Sequence, residues 1–214
     1  MNSDKERKDK VGAGRPTPAS ARRSRLPLLE LILYLTLGGI TVMFGALAAV
    51  YLYSRTLDGN PHSPFPFPRW FSLSTVVLLL SSYVLAQAPR LYRTDDVAGL
   101  TRCLGATLLM GAVFAGLQIM GWVELNRQGI FLTKEPSGTA VYLISVLHVL
   151  HLLGGMVLVG MLLAYSARAS RDGIRMLTFI RNPYWRLRLR LLSIFWHFVD
   201  VLWVVLFTMF LFLF

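Results

Sequence analysis

A few polar side chains of this 214-residue chain stand out because the residues around them are apolar. Glu30, Gln118, His148, His151, His197 and Asp200 all lie inside long apolar runs. An ionisable group near the centre of a bilayer costs about 2.5–3.5 kcal/mol on insertion scales, so each one needs a reason. Glu30 is near the start of its run, close enough to water to stay hydrated. The other five are deep. His148 and His151 are three residues apart, and so are His197 and Asp200; on helices each pair shares a face. Four chemistries suit such pairs: haem ligation, proton relay, a di-metal centre, or a brace of hydrogen bonds. Haem needs two His from different helices, and His148 or His151 with His197 supplies one such pair but leaves no ligands for a second haem. A di-metal carboxylate site needs several acids, and Asp200 is the one deep acid. A proton path would run through Asp200. The plainest reading is a His/Asp hydrogen-bond network joining the fourth and fifth helices, because pairing is what makes buried charge tolerable. The sequence has no catalytic dyad, phosphate-binding glycine loop or cysteine metal motif.

The elements that must position these residues follow from composition. The chain is 55% apolar and 15% charged, outside the range of an ordinary soluble domain. The apolar residues form five blocks, 27–53, 70–88, 97–123, 139–167 and 191–214. About 20 apolar residues cross a bilayer core of about 30 Å as a helix, and in lipid a helix alone pairs every backbone group of such a segment. Membrane-barrel strands would be shorter and alternate in polarity. The expected fold is an all-α integral membrane bundle of five transmembrane helices, without internal repeat. Its depth scale puts His148 and His151 about 12–16 Å from one membrane face and His197 with Asp200 about 10–15 Å from the same face.

The net charge of +11 could suggest nucleic acid, but its distribution does not. Of 22 Lys and Arg, 8 precede residue 26, 3 (Arg90, Arg93, Arg102) flank the junction of the second and third helices, and 7 lie between the fourth and fifth. Arg55, Arg69, Arg127 and Lys134 make up the rest, an 18-to-4 split. The positive-inside rule then gives a cytoplasmic N-terminus and an outward C-terminus. Residues 1–26 read as a disordered basic cytoplasmic tail, and 27–214 as the membrane domain. The stretch 46–48 resembles a cleavage site, but the apolar run before it is too long, so the first helix is expected to remain as an anchor. Cys103 has no partner for an internal disulfide and reads as a small packing residue.

The connections read as loops. The 60–70 stretch, with Pro at alternating positions, favours extended geometry. The 124–138 stretch is polar. The 168–190 stretch carries seven Arg, and Asn182-Pro183-Tyr184-Trp185 within it should break any helix and leave Trp185 at the interface. Gly45 with Ala49, Gly111 with Ala115, and Gly154, Gly155 and Gly160 are candidates for close helix approach in lipid.

The same polar residues resemble a family signature. The run Phe195-Trp196-His197-Phe198-Val199-Asp200-Val201-Leu202-Trp203 looks like the last helix of cytochrome c oxidase subunit III. Leu147-His148-Val149-Leu150-His151-Leu152-Leu153-Gly154-Gly155 looks like its paired-His, double-Gly motif. The stretches 107–122 with Gln118 and Trp122, 74–82, and 42–51 are similar to its preceding helices in the short, five-helix form. The resemblance implies a subunit of a respiratory haem–copper oxidase in a bacterial plasma membrane. Such a subunit binds no haem or metal and has no catalytic residues. It packs beside catalytic subunit I, with subunit II in the same complex, where haem and copper are held. It also holds phospholipid and supports assembly, proton uptake and turnover stability. Candidates for the intramembrane polar network, or for subunit or lipid contact, are His148, His151, His197, Asp200, Trp196 and Gln118. The rivals are a quinol oxidase subunit, an accessory protein of nitric oxide reductase, and, from another class, a haem-binding membrane anchor. Where the family has a buried Glu in its first shared helix, this chain has Ile40 or Thr41, and Gly121 precedes Trp122 where an acid is common.

Overall fold

The computed structural model describes residues 25–57, 69–128 and 136–213, all helical apart from short turns. The expected basic tail up to residue 24, the proline-rich stretch and the middle of the 124–138 loop lie outside the described residues. Five long helices are α1 (Arg25–Leu57), α2 (Arg69–Leu85), α4 (Val97–Arg127), α5 (Pro136–Ala169) and α7 (Pro183–Leu213). Two short ones, α3 (Ala88–Arg93) and α6 (Gly173–Arg181), sit at the end of the bundle where α1 begins. With α3 continuing α2, five spans among the described residues are long and apolar enough to cross a membrane.

The helices outrun the apolar blocks, because the blocks mark only what lipid must cover. Residues 124–127, expected in a loop, form the last turn of α4. The 168–190 stretch is likewise not a loop. Asn182 breaks the helix, as its sequence suggests, but α7 restarts at once. The Asn182 side chain accepts from the Tyr184 N–H at 3.1 Å, and Pro183 occupies the first helical position, where its missing N–H costs nothing. Trp185 then packs on Tyr165 and Phe179 with ring centroids 4.6 and 5.3 Å away. The turn before α4 is capped by a side chain too. Asp96 accepts from the Gly99 N–H at 2.7 Å to start α4, a Cβ at Gly99 would overlap that carboxylate, and Asp95 before it takes φ 59°.

α4 lies between α2 and α5; α7 packs across α2 and α5, and α1 closes the bundle against α5 and α7. α1 is the least enclosed helix. Outward Leu, Ile, Val and Tyr side chains cover the spans, which suits helices whose outer surface meets hydrocarbon. Among the glycines, a Cβ on Gly111 would come within 3.2–3.3 Å of Met156 and Trp196, and one on Gly155 within 3.0–3.4 Å of Phe195 and Trp196. These two let α7 approach. Gly45, Gly154 and Gly160 meet nothing within 4 Å, so they are not the contacts their spacing suggested.

One side chain fastens the short helices. The buried Tyr92 hydroxyl faces the carbonyls of Phe179 and Ile180, at 2.9 and 3.2 Å in the last turn of α6, and that of Asn182 at 3.2 Å, which also accepts the Trp185 N–H. Tyr92→Phe should therefore cost about 1–2 kcal/mol and speed tryptic cleavage after Arg181 in the detergent-solubilised protein. Unchanged cleavage would remove Tyr92 from this role.

Candidate functional site

α7 presents its polar residues to α2, not to α5. The Trp196 indole N–H donates to the Ser81 hydroxyl at 3.2 Å, His197 Nδ1 pairs with the Ser82 hydroxyl at 2.6 Å, and the Trp203 indole N–H donates to the Thr75 hydroxyl at 2.9 Å. Two turns further along α7, from Trp196 to Trp203, the partner moves back from Ser81 to Thr75 on α2, as in an antiparallel pair. Ser81 donates its own proton to the Leu78 carbonyl, and Thr75 to that of Phe71, at 2.7 and 2.8 Å. Such back-bonding settles the hydroxyl proton within its own helix and leaves the oxygen lone pairs free to accept from a neighbour. The device recurs: Gln118 Nε2 donates to Ser74, and the Trp122 indole to Ser145, each at 2.9 Å and each to a back-bonded hydroxyl.

Trp196 and Trp203 of α7 join four helices. Trp196 fills the space left by Gly111 of α4 and Gly155 of α5 while bonding α2. Trp203 meets Phe114 of α4 edge-on at 5.4 Å, and its centroid lies 4.7 Å from that of His148 on α5.

The expected His/Asp bonds between the fourth and fifth spanning helices do not form. His148 is fully buried, and neither ring nitrogen has a hydrogen-bond partner. It is surrounded by the rings of Phe44, Phe114 and Trp203, with Ile40 buried one turn before Phe44, so what faces it is aromatic and aliphatic. His151 Nδ1 turns back to the Leu147 carbonyl of its own helix at 2.7 Å. Both Asp200 oxygens are buried without a hydrogen bond. Along α7 Asp200 lies between Trp196 and Trp203, whose partners on α2 are Ser81 and Thr75. Its polar neighbour Ser82 is engaged by His197. Gln118 and Trp196 are also enclosed, so a direct subunit or lipid contact is open only to His151 and His197, which are partly exposed. Glu30 is partly exposed and pairs with Arg190 at 3.4 Å. Cys103 is buried and free, its thiol 3.0 Å from the Val84 carbonyl. No group of three or more His, Cys, Asp or Glu is gathered around a common point among the described residues.

Thr75, Ser81, Ser82 and Ser145 were not singled out by the sequence reading. A signal was present: Thr75 and Ser82, like Ser74 and Ser81, are seven residues apart, as are Trp196 and Trp203, so each set lines one helix face. A double-mutant cycle on Thr75→Val and Trp203→Phe should give a coupling of about 0.6–1.7 kcal/mol in detergent unfolding, the range for interhelical hydrogen bonds in membranes. Strict additivity would mean that the ring packs without help from its N–H.

Known proteins match this chain over the same helices. The family model described as cytochrome c oxidase subunit III matches residues 60–214. The cytochrome c oxidase subunit 3 of Bacillus sp. (strain PS3) is 31% identical over 178 residues, covering 82% of this chain and 81% of the relative. That of Bacillus subtilis (strain 168) is 29% identical over the same shares. A probable cytochrome c oxidase subunit 3 of Nocardia farcinica is 28% identical over 90% of this chain and 94% of its own length. With a family model covering well over half its length and five apolar spans in the structure, the chain belongs to the cytochrome c oxidase subunit III family.

Proposed function

We propose that the chain is the non-redox third subunit of a respiratory cytochrome c oxidase. In this reading it packs beside the catalytic subunit, with subunit II in the same complex, and holds phospholipid. It supports assembly, proton uptake and the lifetime of the enzyme during turnover. Haem and copper belong to the partner subunits. The observation that carries the reading is the family match across α2 to α7, the helices that build the hydroxyl–aromatic clamp. The 18-to-4 charge split supports a cytoplasmic N-terminus and an outward C-terminus in a bacterial plasma membrane. The bundle end formed by α3, α6 and the start of α7 would then face the cytoplasm.

The haem-anchor rival loses support from the geometry, since rings close around His148 and His197 is held by Ser82. The electron donor is set elsewhere in the complex. Purifying the complex through this subunit and assaying reduced cytochrome c against quinol tests the reading: oxidation of cytochrome c is expected, quinol oxidation alone would move the chain to a quinol oxidase, and no co-purifying oxidase would overturn it. The isolated chain should show no Soret band.

Asp200 offers a sharper test. Its carboxyl makes no hydrogen bond to lose, so Asp200→Asn, of nearly the same shape, should leave thermal stability unchanged or raised, because a lone buried charge is costly. Asp200→Ala should loosen association with the catalytic subunit or shorten activity during turnover, with haem content unchanged. If neither variant alters assembly or turnover lifetime, Asp200 has no part in the subunit's function.

A further inference from the structure

Ser82 differs from the other hydroxyls that join the helices. Ser74, Thr75, Ser81 and Ser145 each give their proton to a carbonyl of their own helix. The Ser82 hydroxyl makes one bond among the described residues, to His197 Nδ1 at 2.6 Å. Its proton is not committed to α2, so it can donate to one neighbour while accepting from another. Its other polar neighbour is Asp200, whose two oxygens are buried without a hydrogen bond. His197 and Asp200 are three residues apart and share a face of α7, which places Ser82 against both. His197 also joins this group to water. With Ser193 one turn before it, His197 lines an open cavity of about 490 Å³ at the bundle end where α1 begins. Ser82 takes Nδ1, which leaves Nε2 as the nitrogen free to meet the cavity. Asp200 is 2% exposed and does not line the cavity. From water inward the order is therefore His197, Ser82, Asp200.

The geometry points to Asp200 as a storage site for a single proton, loaded and unloaded from that cavity through His197 and Ser82. A proton from cavity water adds to His197 Nε2. Nδ1 gives its own proton to Ser82 Oγ, and the Ser82 O–H gives its proton to the Asp200 carboxylate. On the ring one N–H forms and one breaks, on Ser82 one O–H forms and one breaks, and the net change is one O–H gained at Asp200. The ring ends in the other tautomer. Reversal restores it, whereas a second proton in the same direction would require the ring to turn over, against its bond to Ser82. The arrangement suits a store exchanged with one side of the membrane, not a conducting path across it. Loaded and unloaded states differ by a full charge between α2 and α7, where a lone carboxylate is costly. Among the described residues no other ionisable group comes between these three. From α1, Glu30 is paired with Arg190 at the cavity. From α3, Arg93 lines the cavity and the Tyr92 hydroxyl is turned to the end of α6. On α5, His148 is enclosed by rings and His151 bonds its own helix. Cys103 of α4 is held by the Val84 carbonyl. The site is built from this chain alone and does not depend on the oxidase reading.

The test uses the full chain purified in mild detergent. Infrared difference spectra between pH steps read the C=O stretch of a protonated carboxyl. The wild type should gain such a band as pH falls, Asp200→Asn should abolish it, and Asp200→Glu should move it. After a rapid drop in pH, Ser82→Ala and His197→Phe should slow the appearance of the band about tenfold or more, the low side of what a positioned proton carrier contributes. Its final size should not change. His151→Phe removes an intramembrane imidazole off the route and should keep the wild-type rate. Helical content is checked for each variant, and if Asp200→Asn does not fold, the moved band of Asp200→Glu makes the assignment. A purely structural role for Ser82 and His197 would change stability and leave the rate alone. A carboxyl band that ignores substitution of Asp200, or equal rates in the wild type, Ser82→Ala and His197→Phe, would overturn the proposal.

Discussion

The structure depends on satisfying donors in a place without water. Trp196 and Trp203 bring two indole N–H groups into the centre of a bundle whose outer surface is apolar. A buried donor left alone costs more than a formed bond returns. Once α2 supplies an acceptor for each, its position relative to α7 is fixed along the axis and in rotation. The bulk of the same rings then dictates the rest: Gly111 and Gly155 are the points where α4 and α5 make room for Trp196. One pair of side chains therefore sets the packing of four helices, in an environment where apolar burial alone gives helices no reason to associate.

The hydroxyls serve as acceptors because their protons are already committed. Ser74, Thr75, Ser81 and Ser145 each donate to a carbonyl of their own helix and accept an amide or indole N–H from the next. The arrangement uses polar groups without placing a charge in the core. It also makes the exceptions conspicuous. His148 and Asp200 are enclosed and have no such partner. The rings of Phe44, Phe114 and Trp203 enclose His148, and the polar neighbour of Asp200, Ser82, is already engaged by His197. An unpartnered buried group is expensive to keep, which is why Asp200 is the residue whose retention asks for a functional reason and Trp196 is not.

At the opposite extreme is the charged end of the bundle. There the arginines are in reach of water, so repulsion between them is screened and tolerated. Tyr92 draws the short helices together, and the same fold that locks tryptophans in the core gathers guanidiniums at the rim of a cavity.

Much of this was legible in the residues. Block length and composition determined five spanning helices, because a bilayer admits few other states for such segments. The Phe195–Trp203 and Leu147–Gly155 runs, with weaker stretches in the other three helices, resemble the family to which the chain belongs. The sequence also marked the few polar groups in apolar runs, since their rarity is a property of composition. It did not say which of them would meet. His148, His151, His197 and Asp200 match in depth, but depth does not fix the rotation of a helix about its axis, and a turn of that axis directs His197 to Ser82 instead of α5. Nor could apolar blocks reveal that α7 begins at Pro183, since a helix continues past the lipid wherever capping allows. Spacing within a chain determined what each helix is; only the packing of side chains between helices decided which faces touch, because that is settled by shape and by the pairing of donors with acceptors on different segments.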